Sequence, residues 1–157
     1  MRKRLIAPVQ PETAPPDHDW LNLEDLAEVE MSSEDASHPI ESALLPGQGP
    51  GWRAAAPGKQ SIRLIFANPQ RLRRIWLRFV EPESERTQEY VLRWSPDGGS
   101  SFREIVRQQW NFNPHAATSE TEDHCVELSG VTVLELIITP DISRQGAVAS
   151  LAQLRIA

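Results

Sequence analysis

Alternation of apolar and polar side chains with a period of two runs through much of the chain from residue 60 onward, and it limits the folds open to this sequence. The stretches 62–67, 75–80 and 90–94 all show it, and Pro-containing turns separate them. Successive side chains of a strand point to opposite faces of its sheet, so this period is typical of half-buried strands. Seven or eight such segments, with turns about every 8 to 12 residues, predict an all-β fold, an antiparallel β-sandwich of the jelly-roll type.

Turn and loop signals divide the predicted strands. Asn68–Pro69 is expected to end the strand over 62–67. Ser95–Gly99 predicts a hairpin turn, because Gly accepts positive φ and Pro presets the entry into a turn. Residues 46–51 are predicted to form a loop, and residues 38–44 to hold one or two helical turns. The remaining predicted strands are 27–31, 75–80, 90–94, 102–110, 126–128, 131–139 and 149–156.

The N-terminal part of the chain differs in composition from the rest. Residues 1–19 hold four prolines and lack apolar periodicity, so they predict a flexible, Pro-rich arm. Residues 20–157 predict one β-sandwich binding domain, since 157 residues suffice for a single domain with a core. The basic start is followed by an apolar run that ends at Pro8, so no signal peptide is expected. The single cysteine, Cys125, fits a reducing compartment, and we expect a cytoplasmic protein.

The charge and hydropathy of the chain argue against nucleic acid and membrane as partners. The formal net charge is −6 and the pI is about 5.2, which works against non-specific binding to nucleic acid. The arginines between Arg71 and Arg78 would divide between the two faces of a strand and form no continuous basic stripe. No stretch approaches the roughly 20 apolar residues of a membrane-spanning helix. We therefore expect neither a membrane nor a nucleic acid partner.

The segment 90–105 resembles part of a known family. It consists of a strand, the turn Ser95–Gly99, an aromatic residue and a return strand. In this order it resembles the hairpin of the discoidin, or coagulation factor 5/8 type C, family, and the resemblance extends over about residues 20–157. It implies the galactose-binding-like jelly roll, a binding module that usually has no catalytic activity. The other similar segments are residues 60–66, 72–78 and 149–156.

Five residues are the candidates for ligand binding, at loops expected to lie at one end of the sandwich. Aromatic rings stack on the apolar faces of sugars, Asn both donates and accepts hydrogen bonds, and an Arg fork binds carboxylates or paired hydroxyls. The resemblance implies that Arg86 lies where sugar-binding members of the family place their arginine. The candidate residues are Trp52, Arg53, Arg86, Trp110 and Asn111.

Each of these side chains also has a structural interpretation. Trp110 would cover the open end of the core, since large aromatic residues are mostly buried. Trp52 would pack beneath the loop rich in Gly and Pro, with Arg53 in a structural ion pair. Arg86 would either pair at the surface with Glu83 or Glu85, or point into a cleft with Arg53.

No cofactor, metal site or catalytic residue is predicted. The four histidines match no zinc-binding spacing. Residues 120–124 are expected to form a solvated loop, and Cys125 to pack as a small buried apolar group. No Gly-x-Ser-x-Gly elbow, phosphate loop or His-Glu-x-x-His motif occurs in the sequence. These absences favour a protein that is not an enzyme.

Two functional hypotheses follow from the sequence. The first is a non-catalytic binding module that recognises a carbohydrate or a similar polar small molecule through loops at one end of the sandwich. A small concave pocket lined by the candidate aromatic residues and arginines would support it. The second is a cytosolic protein–protein interaction module with no small-molecule ligand. A large exposed apolar patch rimmed by polar residues would support that alternative.

Overall fold

Two strands of 21 residues each organise the fold, because each takes part in both layers of a sandwich. The structure is a computed structural model that describes residue 3, residues 20–47 and residues 49–157. Neither of the two helices in this described part is long and apolar enough to cross a membrane. The elements are α1 (Leu23–Leu26), β1 (Ala27–Met31), α2 (Glu41–Leu44), β2 (Trp52–Pro57), β3 (Gln60–Val80), β4 (Arg86–Ser95), β5 (Arg103–Phe112), β6 (Ser119–Thr139), β7 (Val148–Leu151) and β8 (Gln153–Ile156).

The long strands β3 and β6 bend where their pairing shifts register. Residues 60–65 of β3 pair with residues 133–138 of β6, and residues 74–80 pair with residues 119–125. The first pairing lies in a five-stranded layer with the order β1-β3-β6-β4-β5. The second lies in a three-stranded layer, in which β8 pairs with the other edge of β3. Strands β2 and β7 form a separate pair. Every pairing is antiparallel, so the predicted all-β sandwich is confirmed.

The prediction that Asn68–Pro69 ends a strand is wrong, because β3 continues through it. Pro69 lacks a backbone N–H, and it lies where the register of β3 against β6 shifts, so the ladder is already interrupted there. Likewise, residues 126–128 and 131–139 belong to the one strand β6, and Gly130 lies between them with a φ of 72°. Local turn signals do not reveal whether an irregularity ends a strand or bends it.

Other predicted segments differ in their outcome. The strand over 27–31 and the helical turn within 38–44 are confirmed. Residues 120–124, expected to form a loop, are instead part of β6. The predicted last strand divides at Ala152 into β7 and β8. The predicted arm over residues 1–19 lies outside the described residues, apart from residue 3.

The core lies between the two layers and consists of the alternating apolar side chains. Leu92 and Leu136 come from the five-stranded layer and Ile75 from the three-stranded layer, and each is at most 1% exposed. Burial of a side chain of this size contributes roughly 1.5 to 3 kcal/mol. Phe79 and Tyr90 stack across the gap between the layers, with ring centroids 5.2 Å apart. This contact fixes β4 over the three-stranded layer.

The predicted hairpin at Ser95–Gly99 is confirmed, and it joins β4 to β5. Asp97 accepts hydrogen bonds from Ser101 and Ser95, and these bonds lower its pKa to about 2. The two glycines of the turn both have positive φ, 73° and 96°. Their lack of a Cβ therefore permits the tight reversal that the sequence indicated.

A buried carboxylate organises the outer face of the five-stranded layer. Glu135 is 1% exposed and forms ion pairs with Arg63 and Arg93, each at 2.5 Å. Phe102 lies against both guanidinium groups, at 5.3 Å and 4.4 Å from its ring centroid. The cluster thereby connects three neighbouring strands and the end of the hairpin turn.

Gly51, which precedes β2, is a sensitive position for stability. Its φ is 112°, and an added Cβ would lie 2.5 Å from the carbonyl oxygen of Leu151. We expect Gly51→Ala to lower the free energy of unfolding by about 2 kcal/mol or more, because both the backbone conformation and the new contact are unfavourable. Urea denaturation followed by tryptophan fluorescence measures the effect. Gly146→Ala is the matched control, since its Cβ would meet nothing within 4 Å. Equal stabilities of the two variants would contradict the expectation.

Candidate functional site

Three loops meet at one end of the sandwich and border a cleft of about 390 Å³, which we call the Arg86 cleft. They are residues 81–85 after β3, residues 113–118 after β5 and residues 140–147 after β6. The bends of β3 and β6 bring the ends of these strands to the same edge of the molecule. The lining residues that bear on binding are Arg86, Asn111, Asn113, Asp141, Ser143 and Arg144.

Backbone hydrogen bonds hold these loops against one another and against β4. The amide of Glu81 donates to the carbonyl oxygen of Thr118 at 2.8 Å. The amide of Ile142 donates to the carbonyl oxygen of Thr87, also at 2.8 Å. Because both contacts are made by the backbone, they can form with different side chains in the cleft lining.

Arg86 is the most buried charged side chain that lines this cleft. It is 7% exposed, its guanidinium donates to the carbonyl oxygen of Val148 at 3.0 Å, and it lies 3.3 Å from the Glu81 carboxylate. Burial lowers the pKa of the Arg86 guanidinium, and the charge of Glu81 raises it. Arg53 lowers this pKa further and Asp141 raises it, so both charges act on Arg86. The Arg86 Nε atom is buried without a hydrogen-bond partner among the described residues.

The position of Arg86 follows from the alternation of β4. It is the first residue of that strand, and it lies on the same face as the buried residues Gln88 and Tyr90. The expected surface pairing with Glu83 or Glu85 is therefore wrong, because the partner is Glu81 and the pair is largely buried. The other interpretation from the sequence placed Arg86 in a cleft with Arg53. Arg86 does line a cleft, but Arg53 lines a separate pocket.

Asn111 contributes an exposed amide to the same cleft. It lies on β5 directly opposite Thr87, and its Oδ1 accepts a hydrogen bond from the Thr87 hydroxyl. This bond orients the amide and leaves the two N–H groups of Nδ2, for which no partner is found in the described part of the chain. The structure thus brings together two of the five candidate residues, Arg86 and Asn111.

The loop over residues 140–147 supplies lining residues that the sequence interpretation missed. Asp141 is 9% exposed, and its Oδ1 accepts a hydrogen bond from the amide of Ser143 at 3.0 Å. Arg144 is exposed and forms no ion pair with the described residues. Ile142 is 45% exposed and is the most exposed large apolar side chain of the described part. The available signal was a short polar run after Pro140, which does not differ from an ordinary turn.

Trp52 and Arg53 line a second pocket of about 290 Å³, which we call the Arg53 pocket. Trp52 is 1% exposed, and its Nε1 donates to the carbonyl oxygen of Ser33 at 3.1 Å. Its ring therefore has no free face on which a ligand could stack, which excludes the aromatic surface expected at this position. Arg53 is exposed, lies opposite Ser150 of β7, and forms no ion pair within the described part of the chain.

Trp110 lies outside the lining of both pockets. It lies on β5 opposite Gln88, on the side of the sheet that faces the core. It is half-buried and packs against the core cluster, and its Nε1 is buried without a partner among the described residues. This position agrees with the structural interpretation, in which Trp110 covers the edge of the core.

A buried polar cluster lies between the two layers. Both carboxylate oxygens of Glu120, which is 2% exposed, and the Nε2 of Gln88 lack a hydrogen-bond partner within the described residues. The hydroxyl of Tyr90 lies 2.8 Å from Nε2 of His124. Burial and the neighbouring Glu122 raise the pKa of Glu120 to about 8. Burial lowers the pKa of His124, which favours its neutral form.

The predicted burial of Cys125 has to be corrected, because this residue lies on the outer face of β6. Cys125 is exposed and lies opposite Arg74, so the expectation of a buried apolar cysteine is wrong. The alternation of the strand turns His124 inward and Cys125 outward. Among the described residues, no group of three or more His, Cys, Asp or Glu side chains could hold a metal ion.

Solved structures reveal which known architecture this arrangement matches. A pectin-binding carbohydrate-binding module has a TM-score of 0.60 and 13% identity, over 84% of this chain and 90% of that one. The CBM32 of AlyQ, in complex with 4,5-unsaturated mannuronic acid, has a TM-score of 0.62 and 15% identity, over 85% and 95%. The family 32 module from C. perfringens NanJ, in complex with galactose, has a TM-score of 0.60 and 15% identity, over 87% and 96%.

The fold is that of the galactose-binding-like carbohydrate-binding modules. The fold implied by the hairpin over 90–105 is thereby confirmed. No protein-family model matches the chain, and no curated protein sequence matches it. At these identities the likeness concerns the fold alone, so any function has to be argued from the residues of this chain.

We expect the buried Glu120 to make the stability of this domain depend on pH. The pKa of Glu120 in the folded protein is about 8, above the usual value of 4.5. Between these two pH values the folded protein therefore holds a proton on Glu120 that the unfolded chain releases. The stability that depends on this proton is fully present below about pH 4.5 and is lost as the pH rises to about 8. We expect Glu120→Gln to stabilise the protein progressively over this window, by at most about 1.4 kcal/mol per pH unit.

Denaturant unfolding of both proteins between pH 5 and pH 9 tests this expectation. Glu127→Gln is the control on the same strand, because Glu127 is exposed and Arg71 lowers its pKa. A gain for Glu120→Gln that does not change with pH would contradict the assignment of a protonated, buried carboxyl.

Proposed function

We propose that this domain is a non-catalytic module that binds a carbohydrate in the Arg86 cleft. The observation that carries the proposal is the meeting of the buried Arg86, the exposed amide of Asn111 and the carboxylate of Asp141 in one concave surface. The neighbours in fold include modules solved in complex with galactose and with an unsaturated uronic acid. This fold and these polar groups together favour a ligand that carries many hydroxyl groups.

The lining residues can both donate hydrogen bonds to such a ligand and accept hydrogen bonds from it. Arg86, Arg144 and the Nδ2 of Asn111 are donors to hydroxyl or carboxylate oxygens. Asp141 and the hydroxyl of Ser143 accept hydrogen bonds from sugar hydroxyls. Because Arg86 is held by Glu81 and by a backbone carbonyl, its position is fixed before the ligand arrives.

The lining of the Arg86 cleft offers no exposed aromatic side chain as the platform that the sequence suggested. Trp52 and Trp110 do not present ring faces to the Arg86 cleft. Ile142 lies between two lining residues in the sequence and is 45% exposed, but it does not itself line the cleft. Without an aromatic platform, and with few ligand atoms buried in an open cleft, we expect weak binding.

The alternative of a protein–protein interaction module has less support. It would need a large exposed apolar patch, and Ile142 is the exposed large apolar side chain of residues 20–47 and 49–157. Cytoplasmic localisation stays a prediction that depends on the single cysteine. A cytoplasmic ligand would be a soluble sugar or glycoconjugate rather than an extracellular polysaccharide.

Substitution of exposed lining residues tests the proposal without disturbing the fold. We expect Asn111→Ala and Arg144→Ala each to weaken sugar binding by roughly 5- to 20-fold, because each removes one or two hydrogen bonds to the ligand. Isothermal titration calorimetry with galactose and with galacturonic acid measures this effect. Arg86→Ala is unsuitable as a first variant, since it leaves Glu81 without its partner in a largely buried position.

Arg71→Ala is the matched control, because Arg71 is an exposed arginine that lines neither pocket. We expect it to bind both sugars as the unaltered protein does. If neither sugar binds at tens of millimolar, or if both lining variants bind unchanged, the Arg86 cleft is not a carbohydrate site.

A further inference from the structure

We infer that the ligand is an oligosaccharide of at least two sugar units, with one unit in the Arg86 cleft and the next in the Arg53 pocket. This inference rests on the proposed function. The two pockets are neighbours, because the loop over 81–85 borders both: Glu81 and Glu83 line the Arg53 pocket, and Glu85 lines the Arg86 cleft. A chain that leaves one pocket over this loop enters the other.

The charges between the two pockets favour a ligand that spans them. Arg53 acts on the buried Arg86 as a like charge, and the one carboxylate in contact with Arg86 in the described part is that of Glu81. Arg53 and Glu81 line the Arg53 pocket and Arg86 lines the Arg86 cleft, so two guanidinium groups border the two pockets and only that of Arg86 contacts this carboxylate. Guanidinium donors therefore remain for ligand oxygens. Sugar oxygens placed between Arg53 and Arg86 would satisfy these donors and reduce the repulsion, which a single sugar confined to one pocket cannot do.

The Arg53 pocket has the composition of a sugar subsite of its own. The rings of Pro50 and Pro82 offer apolar faces, and the side chains of Arg53 and Ser150 offer polar groups. His38 also lines this pocket, and its Nδ1 has no hydrogen-bond partner among the described residues, with Asp35 at 3.6 Å. Its volume of about 290 Å³ is somewhat smaller than the 390 Å³ of the Arg86 cleft.

A series of ligand lengths tests the inference. The full chain is titrated with galactose, galactobiose and galactotriose, and with galacturonic acid and its dimer and trimer. In the series that binds, we expect the affinity to rise by roughly tenfold or more from the monomer to the dimer or trimer, because a second unit adds contacts without a second loss of overall freedom.

Two variants assign the gain to its pocket. Arg53→Ala should reduce the affinity for the trimer to about that for the monomer, so that the affinity no longer rises with the length of the ligand. Asn111→Ala should lower the affinity for ligands of every length, because Asn111 lines the Arg86 cleft. Arg53 is exposed and forms no ion pair within the described part, so its removal should not alter thermal stability. Arg71→Ala is again the control and should leave the affinities for both series of ligands unchanged.

The outcomes distinguish a failure of the two-subsite inference from a failure of the proposed function. Equal affinities for all lengths, or a length-dependent gain that survives Arg53→Ala, would overturn the two-subsite inference and leave the proposed function in place. Failure of every sugar in both series would overturn the proposed function and this inference with it. A gain that Arg53→Ala abolishes supports both.

Discussion

The buried ion pair between Arg86 and Glu81 holds together the end of the sandwich on which the proposed function depends. It connects the start of β4 to the loop that follows β3, and a hydrogen bond to Val148 adds β7 to the same junction. This junction exists because β3 and β6 bend between the layers. The bend brings the end of the pair that holds Val80 and Ser119 close to the end that holds Thr139, which places three loops at one edge. The two pockets lie on either side of the pair, so a single buried contact positions both.

The fold was predictable wherever the alternation of side chains matched the burial of the strands. The hairpin at Ser95–Gly99 and the apolar strands around it follow directly from that pattern. The pattern fails at Asn68–Pro69, where a bend in β3 carries the signals of a turn. It also fails over residues 120–124, because Glu120 faces inward, where burial raises the pKa of its carboxyl group. A polar side chain that faces the core cannot be distinguished by sequence from one in a loop.

The candidate site was predictable only in part, for a related reason. Arg86 and Asn111 stand at the adjoining ends of β4 and β5, and the family resemblance indicated Arg86 directly. The aromatic residues were misleading, because side-chain type does not reveal which face a ring presents: Trp52 is buried and Trp110 covers the core edge. The loop with Asp141 carried no distinguishing signal, since its contribution depends on a backbone contact with β4.

The most direct test of the account is to locate the bound sugar on the protein. Backbone amide correlation spectra of the full chain, titrated with galactotriose and with trigalacturonic acid, would identify the contacted residues. We predict that the largest shift changes fall on residues 85–87, 111–113 and 141–144, with a second set at Arg53. Shift changes centred elsewhere, for example on β1 or on the outer face of β6, would contradict the claim that this end of the sandwich is the binding site.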